Sequence, residues 1–281
     1  RSAWAPPGPP TRWPVVSAHR GCRASRRPSM PRVRGCGCSA AETVIASRRM
    51  DRGRSVRLEA GTASHTGLIR ASNQDSVGLV EGLYVVADGM GGHRGGEVAS
   101  AEAVAAMLSV FDRRDRAGLV SAVRSANRTI LEMTVTRPDL SGMGTTLCAL
   151  AVANSASGDE VLAVANIGDS RVYRFAAGEL VQVSDDHSLV ADLMRAGELT
   201  AEEAARHPQR NILTRALGIE ADPVIDSWEL EPALGDRYLL CSDGLFNELD
   251  DGRLAEVLAA GSVQETADRL VDEAVENGGH D

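Results

Sequence analysis

Aspartates stand at the ends of apolar runs in this chain, and that arrangement restricts its fold more than any other feature. Leu83-Tyr-Val-Val-Ala87 leads into Asp88-Gly89, Val161-Leu-Ala-Val-Ala165 runs on to Gly168-Asp169, and Tyr238-Leu-Leu-Cys241 leads into Ser242-Asp243-Gly244. A fourth aspartate, Asp281, follows Gly278-Gly-His280. Apolar runs of this length read as buried strands. A glycine beside Asp88, Asp169 and Asp243 lets the backbone turn sharply and approach a ligand. Several such strand ends meeting in one place offer only oxygen donors, the set that hard divalent cations prefer. The pattern predicts a metal centre.

The elements around these runs follow from periodicity. Val56-Arg-Leu-Glu-Ala60 alternates like a strand, and Ser76–Val80 and Leu83–Ala87 are expected to pair as a hairpin around Glu81-Gly82. Glu97–Phe111 and Ala117–Thr134 carry helical spacing, the second with Leu119, Val123, Ala126 and Ile130 on one face. Thr145–Ala153, Glu160–Asn166, Val172–Phe175 and Leu180–Val183 read as an antiparallel meander. Two later helices open with capping boxes, Thr200-x-x-Glu203 and Ser262-x-x-Glu265. Helices and strands in this order make an α+β chain with antiparallel sheets.

Charge divides the chain. Residues 1–57 hold 13 of the 30 arginines and two of the 39 acids, a net +11; the rest holds 17 against 37, a net −20. There is no lysine, which reads as a genomic composition bias. So acidic a domain argues against nucleic acid as a partner and suits one that gathers cations. With seven prolines and no sustained periodicity, residues 1–57 are expected to be disordered or spurious, with the natural start nearer Met50. His19, Cys22, Cys36 and Cys38 lack a second half-site with zinc spacing. Five cysteines, an odd number, and no secretory signal point to a reducing cytoplasm. No stretch approaches the roughly twenty apolar residues of a membrane span.

Six short strings then carry a resemblance. Arg70-Ala-Ser-Asn-Gln-Asp75, Asp88-Gly-Met-Gly-Gly-His93, Gly142-Met-Gly-Thr-Thr146, Gly168-Asp-Ser-Arg171, Ser242-Asp-Gly244 and Gly278-Gly-His-Asp281 resemble, in order, the motifs of the metal-dependent type 2C (PPM) serine/threonine protein phosphatases in their bacterial form. Each string alone is weak, since Asp-Gly pairs are common turn formers. The series covers about Ser64 to Asp281.

The resemblance implies two packed antiparallel sheets flanked by pairs of helices. It implies a catalytic domain over 58–281, a flap over 185–218 beside the site, and a last core strand beyond Asp281 that this chain lacks. We read that stop as a truncation that leaves a neighbouring strand with an open edge. It implies two Mn²⁺ or Mg²⁺ ions, with a third held more weakly, and hydroxide shared between the first two as the nucleophile. Asp88 would bridge the ions, with the Gly89 carbonyl as a further ligand; Asp243 and Asp281 would complete the first ion, and Asp169 would hold the third with Asp243. Asp75 and Gln74 would act through metal-bound waters, and Arg70 would bind the substrate phosphate. The implied partners are phosphoproteins, substrates of a bacterial Ser/Thr kinase and the kinase itself, met by a monomer.

Two positions depart from the family pattern. Eukaryotic members carry a histidine where this chain has Met90, and a thioether cannot donate a proton. His93 is a candidate acid nearby. Gln74 replaces a glutamate found in many members, which removes a charge but keeps hydrogen bonding. Two other readings use the same fold: a non-catalytic pseudophosphatase that binds phosphoproteins, and a phosphatase of a sigma-factor regulator. Retention of all the metal aspartates disfavours the first. Asp185-Asp186 and Asp250-Asp251 are expected to be solvated turns.

Overall fold

Strands buried on both faces explain why the apolar runs are continuous and do not alternate. The computed structural model describes residues 55–69, 72–90 and 95–279, and the backbone of 42–48; all fall within one unit, Val33–Asp281. Arg70, His93 and Asp281 lie outside the described residues. The first sheet has the order β10-β7-β6-β4-β3, from Asp226–Leu230, Glu160–Ile167, Leu147–Asn154, Leu83–Met90 and Asp75–Val80, with the short β5 (Gly144–Thr145) on the end of β4. The second has the order β2-β1-β11-β8-β9, from Leu58–Ser64, Glu42–Arg48, Arg237–Cys241, Arg171–Ala176 and Glu179–Gln182. Every pairing between these strands is antiparallel.

Side-chain alternation assigns each strand face to a layer. Tyr84, Val86, Cys148, Leu150 and Val164 of the first sheet meet Val172, Tyr238 and Leu240 of the second. The opposite face of the first sheet, with Val85, Ala87, Ala149 and Ala151, packs against α1 (Gly95–Val110) and α2 (Arg116–Thr136). The opposite face of the second, with Tyr173, Leu239 and Cys241, packs against α5 (Asp243–Phe246), α6 (Asp251–Leu258) and α7 (Val263–Asn277). Each fully buried Leu or Ile in these layers contributes roughly 1.5–3 kcal/mol. The expected sandwich of two sheets between helices is what forms. Both capping boxes are present, at Thr200/Glu203 and Ser262/Glu265.

Four local expectations need correction. Glu42–Arg48, inside the segment expected to be disordered, is strand β1, paired with β2 on one side and β11 on the other. Its Thr43-Val-Ile45 favours a pleated strand, but its partners lie up to two hundred residues away and leave no local signal. With β1 there, β11 has a neighbour on each side and not an open edge. The meander is two hairpins in different sheets, because β7 ends the first sheet's run and β8 begins in the second. The chain changes sheets at Gly168-Asp169-Ser170, where Gly168 adopts φ 102°. Asp250 caps α6 by accepting from the Arg253 N–H, and Asp186 is a mostly buried ion-pair partner, so neither acidic pair is simply a solvated turn.

Residues 185–218 leave the second sheet after β9 and carry α3 (Leu189–Arg195) and α4 (Ala201–Ala205). Both ends of the segment are anchored. At its start, buried His187 accepts from the Gly168 N–H at Nδ1 (3.1 Å), which puts the ring proton on Nε2, facing Asp226 Oδ2 at 3.0 Å. Arg215 donates to the same Asp226. At its end, Leu217 exchanges two backbone hydrogen bonds with Thr145, and the Gly218 N–H donates to Asn127.

Burial holds the His187 imidazole below the ordinary histidine range; the Asp226 carboxylate pulls it back up, and Arg215 and Arg195 push it down. The unfolded chain therefore takes up a proton, near pH 6.5, that the folded chain refuses. Stability from this residue is complete above that pH and shrinks as pH falls below it. Thermal midpoints measured from pH 8 to pH 5.5 should fall, and His187→Gln should flatten the slope. An unchanged slope in that variant would contradict the assignment, as would an ¹⁵N spectrum of the protonated ring at pH 7.

Close approach of β4 to α1 gives a second test. A Cβ on Gly89 would lie 2.0 Å from the Gly96 carbonyl oxygen. Gly89→Ala should cost on the order of 1–3 kcal/mol in urea unfolding, as overpacking does.

Candidate functional site

Asp88 is held from behind by the backbone and hydroxyls of two threonines. Its N–H donates to Thr146 Oγ1 (3.0 Å), and its carbonyl accepts from Thr145 Oγ1 (2.8 Å) and the Thr146 N–H (2.8 Å). Both threonines are buried. With both backbone groups engaged, the Asp88 backbone is fixed relative to β5 and β6. Thr146 Oγ1 also lies 2.7 Å from Ser170 Oγ, which ties Asp88 to the loop that presents Asp169. The Gly-Met-Gly-Thr-Thr string thus supplies the support of Asp88, a role that its sequence did not announce.

Asp75 stands directly opposite Asp88 in the β3–β4 register. Its carboxylate accepts from Ser242 Oγ at 2.7 Å, across 167 residues and from one sheet to the other. Ser242 precedes Asp243, the first residue of α5, whose carboxylate also accepts from Asn247. Gln74 contributes its carbonyl, which accepts from the Gly89 N–H (2.9 Å) and Ser100 Oγ (2.6 Å). A Cβ on Gly96 would meet the Gly89 carbonyl oxygen at 2.7 Å and the Gln74 side-chain oxygen at 2.8 Å, so these groups crowd the first turn of α1.

Four predicted acids are thereby drawn to one end of the sandwich. Asp88 keeps an intermediate exposure as a residue, yet its carboxyl is enclosed enough for burial to push its pKa well up. The negative charges of Asp75, Asp243 and Asp169 raise it further. Like charges that cannot separate favour either a proton or a cation. The donors are all oxygens, which fits Mg²⁺ or Mn²⁺. Among the described residues, no three acids, histidines or cysteines form a finished ion cage; Asp281 lies outside them.

A cavity of about 950 Å³ opens beside the acids, lined by Asp169 and Asp243 on one side and by Ala191, Met194, Arg206 and Arg210 of residues 185–218 on the other. Arg171 and Asp186, neither of which sequence reasoning assigned to the site, lie in its wall. Met90 turns onto Gly144, where a Cβ would meet its methyl at 2.8 Å. Arg70 and His93 lie outside the described residues, so their positions relative to the acids are not defined.

A family model described as Protein phosphatase 2C matches residues 69–277. The serine/threonine protein phosphatase PstP of Mycobacterium tuberculosis is 42% identical over 229 residues, covering 80% of this chain and 43% of that protein. The chain therefore spans less than half the length of that relative. The serine/threonine phosphatase stp of Listeria welshimeri is 37% identical over 231 residues, covering 76% of this chain and 89% of that protein. The crystal structure of the M. tuberculosis phosphatase PstP superposes with a TM-score of 0.70 at 40% identity, covering 85% of this chain and 95% of that one. The PstP catalytic domain in complex with two manganese ions superposes with a TM-score of 0.68 at 39% identity, covering 85% and 95%. The chain belongs to the protein phosphatase 2C family, in its bacterial PPM serine/threonine form.

Proposed function

We propose that this chain hydrolyses phosphoserine and phosphothreonine monoesters of proteins with Mn²⁺ or Mg²⁺ as cofactor. The observation that carries the reading is the convergence of Asp75, Asp88, Asp169 and Asp243: burial raises the Asp88 carboxyl, and the charges of the other three raise it further. The two manganese ions bound by the PstP catalytic domain support it. Bound divalent ions would supply an activated water and neutralise phosphoryl charge.

The chain's own residues would then do the holding and orienting. Asp88 would be the shared ligand, with the Gly89 carbonyl as a further ligand, Asp243 and Asp281 on the first ion and Asp169 with Asp243 on a weaker third. Asp75, fixed by Ser242, and Gln74 would orient waters from behind. Arg70 would hold two phosphoryl oxygens through its planar fork. Met90 supplies no proton, so the leaving group takes its proton from water or from His93. Residues 185–218 would form a flap, because they are anchored at both ends and carry α3 and α4 over the cavity. The catalytic domain would run over 58–281, with β1 of the preceding segment joining its second sheet.

The partners would be phosphoproteins marked by a bacterial Ser/Thr kinase, and the kinase itself, met by a monomer. The cytoplasm suits the two buried free thiols, Cys148 and Cys241. No helix among the described residues is long and apolar enough to cross a membrane.

Hydrolysis of p-nitrophenyl phosphate and of a phosphothreonine peptide should appear with Mn²⁺ or Mg²⁺ and stop with EDTA. Undiminished turnover in chelator would refute the reading. Asp88→Asn and Asp243→Asn should each lower kcat by about 10²-fold or more, the scale of lost preorganised charge stabilisation. Arg70→Ala should chiefly raise KM, since it removes binding common to ground and transition states. A near-normal kcat in Asp88→Asn would overturn its place at the centre.

A further inference from the structure

Arg171 begins β8, two residues after Asp169, and every edge of its guanidinium is engaged. Nε and Nη2 fork onto the Asp186 carboxylate at 3.0, 3.1 and 2.7 Å. Nη1 donates to the Tyr173 hydroxyl at 2.9 Å. The face of the group lies over the Phe246 ring, 3.7 Å from its centre. The Arg171 and Asp186 side chains are only 22% and 14% exposed, so solvent screens the pair little.

The partners come from the three segments that meet at the site. Arg171 itself follows the sheet-changing turn that carries Asp169. Phe246 lies three residues past Asp243, on the same turn of α5. Asp186 precedes His187, the anchor at the start of residues 185–218, and is also held by Gln182 Nε2 at 2.9 Å. Asp169, Arg171, Asp186, Asp243 and Phe246 all line the one cavity. A bidentate fork fixes angle as well as distance, and the stacked ring fixes the third direction.

We propose that Arg171 is a positioning residue. It sets the spacing between the Asp169 and Asp243 carboxylates and locks that spacing to the root of residues 185–218. The inference rests on the reading above, in which those two aspartates share a cation.

The test is Mn²⁺ titration of the full 281-residue chain by calorimetry and electron paramagnetic resonance. Asp169→Asn identifies the binding event that uses this pair, because that event is lost. Arg171→Met should weaken the same event by about 10–100-fold, the usual effect of removing a ligand's support. Arg171→Lys should not restore it, since an ammonium has neither fork nor stacking plane. Phe246→Leu keeps the ion pair and the apolar volume and should still weaken the event severalfold. Asp186→Asn combined with Arg171→Met should lose little more than Arg171→Met alone, as members of one unit do. Amide exchange at 186–189 should quicken in Arg171→Met, and its lost turnover should return at high Mn²⁺.

Wild-type Mn²⁺ affinity in Arg171→Met and Phe246→Leu would overturn this inference alone, and so would full rescue by Arg171→Lys. If Arg171→Met does not fold, Phe246→Leu decides by itself. A wild-type chain that binds no Mn²⁺ overturns the inference together with the reading beneath it.

Discussion

A buried carboxylate, Asp88, set among three others is the constraint on which the rest of this structure turns. Burial of Asp88 and the negative charges of Asp75, Asp243 and Asp169 around it make its ionised form costly at one end of the sandwich. Folding must therefore supply restraint from elsewhere, and it does so through buried backbone. Thr145 and Thr146 grip both backbone groups of Asp88, Ser242 ties Asp75 to the other sheet, and the β3–β4 register sets Asp75 opposite Asp88. The threonine and serine contacts join segments far apart in sequence, so the site is as stable as the packing that brings them together.

The sandwich meets that demand by burying its central strands on both faces. Tyr84, Val86, Leu150, Tyr238 and Leu240 close the seam between sheets, while Val85, Ala149 and Leu239 face helices. Small residues fill much of this core, so the backbones approach closely, as at Gly89 against Gly96. Close backbones place the strand ends within reach of one another, and the acids stand at those ends. The end of the seam then has carboxylates on one side, and on the other a segment anchored at His187 and Leu217.

Periodicity and capping made the helices and the hairpins legible. Ser262 and Glu265 start α7 as their spacing predicts, and Glu81-Gly82 turns β3 into β4. Those signals are local, because a helix cap or a two-residue turn is complete within a few residues. β1 shows the opposite case. Seven residues inside an arginine- and proline-rich segment take their strand form from β2 and β11, and no local pattern encodes a partner two hundred residues away. The false meander has the same cause, since alternation reveals a strand but not the sheet it joins.

What the sequence determined by itself was the pattern of Asp88, Asp169 and Asp243: carboxylates beside glycines after apolar runs, in a recognisable order. An Asp-Gly at the end of a buried strand carries its own chemical meaning, since the strand dictates burial and the glycine a turn. What only the tertiary structure decided was how the acids are held and which neighbours matter. The hydroxyls of Thr145, Thr146 and Ser242, and the clamp of Arg171 on Asp186 and Phe246, are ordinary polar and aromatic residues in the sequence. They acquire a role because two sheets pack face to face, and the energy of a hydrogen bond or ion pair depends on distances that only that packing fixes.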